Sequence, residues 1–266
     1  MADRKWTEPD RLMIRRLRTM FAPEPAAPQR SAEVPAGQRV YAVGDIHGRL
    51  DLFEQLIAKI DADDAARDPA DTTVVLLGDL VDRGPDSAGV IERARRWARK
   101  RKLRFIGGNH EEMFLSAFER DEALRHFLRY GGKETLLSYP IDPQTYERAT
   151  LEELRTLMPL IVPAEHIRFM EDMESRVRIG DYLFVHAGIR PGVPVDEQQC
   201  ADLRWIRGEF LDDQRDHGFV VVHGHTITDE VESRPNRIGI DTGAFASDRL
   251  TAIGLEAMER WFLDTL

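Results

Sequence analysis

Five apolar runs in this chain close in the same way, and that repetition limits what the chain can become. RVYAVGDIHG (39–48), TTVVLLGDLVDRG (72–84), LRFIGGNHE (103–111), DYLFVHAG (181–188) and FVVVHGHT (219–226) each end on glycine beside an aspartate, asparagine or histidine. Short β-branched runs bounded by glycine read as buried strands. Between the first three lie two segments with helical spacing, Phe53, Leu56, Ile57 and Ile60, then Val90, Ile91, Ala94, Trp97 and Ala98. A βαβαβ start implies parallel strands with crossover helices. RIGIDTG (237–243), LTAIGLEA (250–257) and the last residues follow at close spacing, which implies antiparallel pairing in part of a mixed sheet. The fold class is α/β. Residues 111–180 are helical in pattern, broken at YGGKE, YPIDP and Pro159 and Pro163, and read as an insertion.

Ligands of open α/β sheets bind outside the carboxyl ends of the strands. The five runs bring Asp45, His47, Asp79, Asn109, His186 and His225 to that edge. Any one of them alone is an ordinary turn former or interior histidine. Five strand ends together are not explained that way. A mixture of aspartate, histidine and asparagine without thiolate suits a divalent cation of intermediate hardness, with manganese, iron and zinc the candidates.

Bulk properties exclude other classes. At 266 residues the chain holds one large domain or two small ones, and no internal repeat divides it. A net charge of −10 argues against nucleic acid as the main partner. The only cysteine, Cys200, leaves no intrachain disulfide, which points to a reducing, cytoplasmic setting. No apolar run approaches the roughly 18 residues of a membrane span. Residues 1–38 differ from the rest. Arg11, Arg15, Arg16 and Arg18 interleave with Leu12, Met13, Leu17, Met20 and Phe21, the pattern of a short basic amphipathic helix, and a Pro-rich linker follows (22–38). That helix reads either as a docking element for an acidic surface, partner or membrane, or as a terminus frayed or packed on the body, with the main domain at 39–266.

GDIHG, GDLVDRG, GNHE, VHAG and HGHT, in this order, resemble the metallophosphoesterase superfamily, specifically its phosphoprotein phosphatase branch, which also includes bacterial symmetrical diadenosine tetraphosphatases. The resemblance spans roughly residues 39–245. It implies a calcineurin-like metallophosphoesterase sandwich, two mixed β-sheets flanked by helices, with two divalent metal ions at the sheet edge. Asp45, His47 and Asp79 would hold the first metal, and Asp79, Asn109, His186 and His225 the second. Water deprotonated between the metals would be the nucleophile. Arg83 and Arg207 would bind phosphate oxygens beside Asn109, Arg204 and Arg190 being weaker candidates. His110 follows Asn109 at a strand end, where adjacent side chains point opposite ways, so it is not expected to bind metal. It would be the general acid, oriented by Asp82, which is expected to favour the protonated imidazole. Asp241 and Thr242 would close the site, and His223 is read as structural. The implied activity is a dimetal phosphomonoesterase, read as a serine/threonine protein phosphatase acting on a phosphorylated protein or small phosphoester. The alternatives are a symmetrical dinucleoside tetraphosphatase and a phosphotyrosine-preferring phosphatase.

Overall fold

The computed structural model describes residues 32–266. Strand β1 (Gln38–Val43) pairs in parallel with β2 (Asp71–Leu76), and β2 with β3 (Lys102–Phe105). Helices α1 (Leu50–Ala65) and α2 (Ser87–Ala98) make the two crossovers. On the other side of β1 the chain adds β9 (Thr251–Glu256) and β10 (Glu259–Asp264), both antiparallel to their neighbours, giving the order β10-β9-β1-β2-β3. A second five-stranded sheet has the order β4-β5-β6-β8-β7. It consists of β4 (Val177–Ile179), β5 (Tyr182–Phe184), β6 (Val220–His223), β7 (Glu232–Ser233) and β8 (Arg237–Gly239). Pairing along β5, β6 and β8 is parallel, and both edges are antiparallel.

Side chains alternate across a strand, so each run of apolar residues feeds two cores. Val40, Ala42, Val75 and Leu77 face the second sheet, where they meet Phe184, Val222, Ile238 and Ile240. Tyr41, Val43, Val74 and Leu76 face the helices and pack with Phe53, Leu56, Ile91 and Trp97. Burial on both faces explains why these strands read as unbroken apolar runs rather than as alternating ones. Each large side chain removed from water here stabilises the fold by about 1.5–3 kcal/mol. A third cluster covers the outer face of the second sheet, with Leu183, Val185 and Val221 against Leu203, Ile206 and Phe210.

The helical insertion comprises α3 (Asn109–Ala117), α4 (Asp121–Phe127), a π-type turn (Leu128–Gly132), α5 (Lys133–Leu137), α6 (Pro143–Arg148), α7 (Leu151–Ile161) and α8 (Ala164–Glu171). Strand β4, which pattern alone places inside the insertion, belongs to the second sheet. Pattern also assigns Ala32 and Val34 to the linker. Both are buried between the sheets, and the Val34 N–H donates to the Ala257 carbonyl at 2.8 Å. The basic stretch Arg11–Phe21 lies outside the described residues. Among the described residues no helix is long and apolar enough to cross a membrane.

Candidate active site

The turns leaving β1 and β2 are joined through backbone: Ile46 and His47 both donate N–H to the Asp79 carbonyl, at 3.1 and 2.9 Å. The junction demands unusual conformations. His47, Asp79, Asp82, Arg83 and His225 have φ of +46°, +50°, +74°, +69° and +63°, five of the seven non-glycine residues with positive φ among the described residues. Each such residue costs about 1–3 kcal/mol and persists only where the surroundings over-determine it. Glycine serves a different need at two points. A Cβ on Gly108 would collide with the Asp79 carboxylate, and one on Gly224 with that of Asp45.

Asp79 is the centre of the arrangement. Its Oδ2 lies 3.6 Å from His47 Nε2 and 3.8 Å from His110 Nε2, and its Oδ1 lies 3.4 Å from His186 Nε2. Two buried groups share it, His47–Asp79–His110 and Asp79–His186–His225, each with its donor atoms within 4.8 Å of one another. Asn109 Oδ1 and His225 Nδ1 both approach His186 Nε2, at 2.9 and 3.2 Å. Asp45 belongs to neither group, and its two carboxylate oxygens accept the His225 N–H at 3.2 and 3.1 Å.

The donor set fits cations on three counts. His47 Nδ1 and His186 Nδ1 each contact a backbone carbonyl, Val81 O and Leu77 O, at 2.8 Å. A carbonyl only accepts, so Nδ1 carries the proton in both rings and the Nε2 lone pair is turned toward the Asp79 carboxylate. Facing acceptors at such distances call for a positive charge between them, and at His47 the Arg83 guanidinium, 3.0 Å from Nε2, already brings one near. His225 Nε2 is buried with no partner among the described residues. Finally, burial pushes Asp45 well above the ordinary carboxylate range and also raises Asp79, Glu111 and Asp241; a neighbouring carboxylate raises the first three further, whereas the hydrogen bond with Asp45 works against the rise at Asp241. Burial lowers the His186 imidazole to about 4 and pushes His225 down as well, so both rings are neutral, the form that can offer a lone pair to a cation.

Asn109 and His110 correct one expectation. A strand end would point neighbours in opposite directions, but β3 stops at Phe105 and the two residues open α3. Successive helical positions differ by about 100°, so both side chains reach the edge, Asn109 toward His186 and His110 toward Asp82. His110 Nδ1 lies 2.6 Å from Asp82 Oδ2. The other Asp82 oxygen accepts from Thr135 Oγ1 at 2.6 Å, and the Asp82 N–H meets Ser87 Oγ and Thr135 Oγ1. The dyad forms as expected, but its proton balance differs. Burial lowers His110 and holds Asp82 well above the usual range, opposing the imidazolium, while the negative charges of Asp79 and Glu111 act in its favour.

Arg83 spans two imidazoles, with Nη1 3.0 Å from His47 Nε2 and Nη2 3.1 Å from His110 Nε2. Arg207 lies at the rim, donating to Thr226 Oγ1 at 3.3 Å, and its charge is felt by His225 and Asp241. Arg204 is paired with Glu112, and Arg190 with Asp202 and Glu209. Asp241 neighbours Asp45, whereas Thr242 turns away to Arg249 O and Thr251 Oγ1. His223 lies against Phe210 on the far side of its strand.

Four contributors escaped the residue-by-residue reading. Glu111 is buried and accepts the backbone N–H of Gly108, Asp79 and Leu80 at 2.7–2.9 Å, clamping two motif loops together. It stood in the GNHE motif without a stated task. Thr135 and Gly131 come from the insertion, and Phe245 from the stretch IGIDTGAFAS, whose aromatic was the available signal.

The family model for calcineurin-like phosphoesterases matches residues 38–250. The chain belongs to that family. As a calcineurin-like phosphoesterase it is a metal-dependent phosphatase, and its buried Asp and His residues are positioned for metal binding. It is 25% identical over 236 residues to the asymmetrical bis(5'-nucleosyl)-tetraphosphatase PrpE of Anoxybacillus flavithermus, covering 82% of this chain and 90% of the relative. Identity to serine/threonine-protein phosphatase 1 of Salmonella typhimurium is 28% over 223 residues, covering 80% and 90%. Among solved structures, the cold-active protein-tyrosine phosphatase of a psychrophilic Shewanella superposes with a TM-score of 0.52 at 16% identity, covering 91% of this phosphoesterase and 86% of that chain. That likeness bears on the fold.

Proposed function

We propose that this phosphoesterase hydrolyses phosphomonoesters of alcohols, with phosphoserine and phosphothreonine in proteins as its substrates. The observation that carries the reading is the buried His110–Asp82 pair beside Arg83, at 2.6 Å. An alkoxide is a poor leaving group, and a positioned acid is worth about 10²–10⁴-fold. A nucleotide phosphate leaves without such help, so a dyad of this kind has most to do on a seryl or threonyl ester.

In this reading Asp45, His47 and Asp79 hold one divalent cation, and Asp79, Asn109, His186 and His225 hold the other. Cations bound there supply Lewis acidity toward the phosphoryl oxygens and acidify water at the site. Arg83 offers two N–H groups in the fork geometry that matches two phosphoryl oxygens, and Arg207 approaches from the rim. Phosphoryl oxygens taking up the Arg83 N–H groups release His110 Nε2, which takes up a proton from water and passes it to the leaving oxygen as its bond to phosphorus breaks. Asp82 keeps Nδ1 protonated and the ring aimed. Manganese as the metal and a cytoplasmic setting belong to the same reading, the latter supported by the single cysteine.

A second reading is supported by Trp205, which exposes 39% of its surface with its ring 6.4 Å from that of His225. An indole face at the rim suits a nucleobase, and the Anoxybacillus relative is named a bis(5'-nucleosyl)-tetraphosphatase. A panel of phosphoserine, phosphothreonine and phosphotyrosine peptides beside diadenosine tetraphosphate decides between them. Highest kcat/KM on the phosphoserine or phosphothreonine peptide is expected. Preference for the dinucleotide would reverse the order of the two readings.

A further inference from the structure

Arginine carries about 2 kcal/mol of rotamer entropy, so a guanidinium that must meet two oxygens needs support. The support of Arg83 comes from outside the strand-end motifs. Its N–H donates to the Gly131 carbonyl at 3.0 Å, and a Cβ on Gly131 would lie 2.7 Å from that same nitrogen, so the insertion presses directly on its backbone. Its guanidinium carbon lies 4.6 Å from the centroid of the Phe245 ring. The same ring meets His47 edge-on, with centroids 5.5 Å apart and planes at 88°.

Phe245 is itself fixed in place. It sits in α9 (Ala244–Ser247), a single turn between two left-handed residues, Gly243 at φ +70° and Asp248 at φ +59°. Arg49, which follows the GDIHG loop, grips that turn by donating to Ala244 O at 2.9 Å and to Asp248 Oδ1 at 2.6 Å. Yet Phe245 is only half-buried and joins none of the three hydrophobic clusters among the described residues. Core packing does not account for an aromatic ring held so firmly at this spot.

We propose that Phe245 is a positioning residue for Arg83, its ring face holding the guanidinium over the site so that both N–H groups meet the phosphoryl oxygens. The inference rests on the phosphomonoesterase reading and extends it. Cation–π contact is electrostatic and needs the face of the ring. Tyrosine at 245 keeps that face, whereas leucine keeps apolar bulk without it.

The test uses the full manganese-loaded chain and follows inorganic phosphate binding by calorimetry, with KM and kcat on a phosphoserine peptide alongside. Phe245→Ala and Phe245→Leu should weaken phosphate binding by about two- to thirtyfold, and Phe245→Tyr by less than about twofold. KM should rise more than kcat falls. In an Arg83→Ala background Phe245→Ala should have no further effect, because the ring acts through the guanidinium. Manganese content and the thermal midpoint should match wild type in every Phe245 variant. Equal phosphate binding by Phe245→Leu and wild type, or an equal cost with and without Arg83, would overturn the assignment. Manganese lost from Phe245→Ala would also overturn it, by assigning the ring to His47. If wild type binds phosphate and cleaves the peptide while the variants are unaffected, only this inference falls. If wild type does neither, the phosphomonoesterase reading falls and takes this one with it.

Discussion

The strand-end loops and the helical insertion border the same cleft with opposite economies of backbone. The loops after β1, β2 and β6 hold His47, Asp79, Asp82, Arg83 and His225 in left-handed conformations, whereas the insertion from Asn109 to Glu171 has positive φ only at Gly131. Strain is placed where a side chain must be aimed at a shared point. The insertion reaches the site with relaxed geometry, through the Gly131 carbonyl and the Thr135 hydroxyl. The loops, with Asn109 and His110 at the start of α3, therefore supply the groups that would touch metal and substrate, and the rest of the insertion supplies hydrogen bonds that steady them. Substitutions in the two regions should differ in size and in kind.

Asp79→Asn gives the largest expected effect. It sits in both donor groups and takes the His110 N–H as well. A neutral amide there weakens both groups at once, so kcat/KM should fall by more than the about 10–100-fold typical of a residue that only supports a ligand. Elemental analysis should show both metals depleted. Two metals retained at wild-type content would remove Asp79 from the bridging position.

His110→Asn comes next. Its loss should reach about 10²–10⁴-fold on a phosphoserine peptide and be slight on p-nitrophenyl phosphate, whose leaving group departs without a proton. Metal content should hold, although His110 Nε2 lies as near Asp79 as a ligand would. Equal losses on both substrates, together with lost metal, would make His110 a ligand instead of an acid.

The difference between the regions also explains what could be read in advance. Strand-end residues announce themselves because the apolar run, the glycine and the polar side chain are adjacent in sequence. The meeting of His47, Asp79, His186 and His225 at one edge was therefore legible, as were most strands of the two sheets, whereas β4 falls inside the insertion by pattern and β7 has no strand pattern. Strand limits were less so: TTVVLLGD reads as strand to Asp79, but β2 ends at Leu76 and Gly78 turns the chain with φ +99°. Thr135 was not legible, because its contact with Asp82 spans 53 residues and hydroxyls of this kind are common on helices. Phe245 was missed for a similar reason, its partners Arg83 and His47 lying on other loops. Asn109 and His110 were placed correctly but justified by strand geometry, and the helix start they occupy gives both of them access.

Thr135→Val tests the insertion's side of the comparison. The swap keeps shape but removes the hydroxyl that donates to Asp82 Oδ1 and accepts from the Asp82 N–H, both fully buried. Leaving such a group unpaired costs about 1–3 kcal/mol, to be read from denaturant midpoints. Thr135→Ser should recover most of it. Any loss of rate should be confined to substrates with poor leaving groups, because only the His110–Asp82 pair is disturbed. A uniform loss on all substrates would mean that the insertion shapes the metal site itself.

The smallest effect lies deepest in the insertion. His166 on α8 is buried, with Nδ1 3.0 Å from Tyr139 Oη and Nε2 3.7 Å from Glu92, and burial, helped by Arg95, holds its pKa below the ordinary value. Unfolded, it titrates near about 6.5. As pH falls below that value the unfolded chain takes up a proton that the folded protein refuses, so stability is lost on acidification and is fully present above it. One proton sets a limiting slope of about 1.4 kcal/mol per pH unit. His186 and His223, both lowered to about 4, add slopes of the same sign from the strand-end side. His166→Gln should therefore flatten the acid limb without abolishing it, while leaving the rate at neutral pH unchanged. Urea midpoints at about pH 7.5 and about pH 5 measure the difference. An unchanged slope would mean that the insertion carries none of the acid sensitivity, which would then belong wholly to the strand ends.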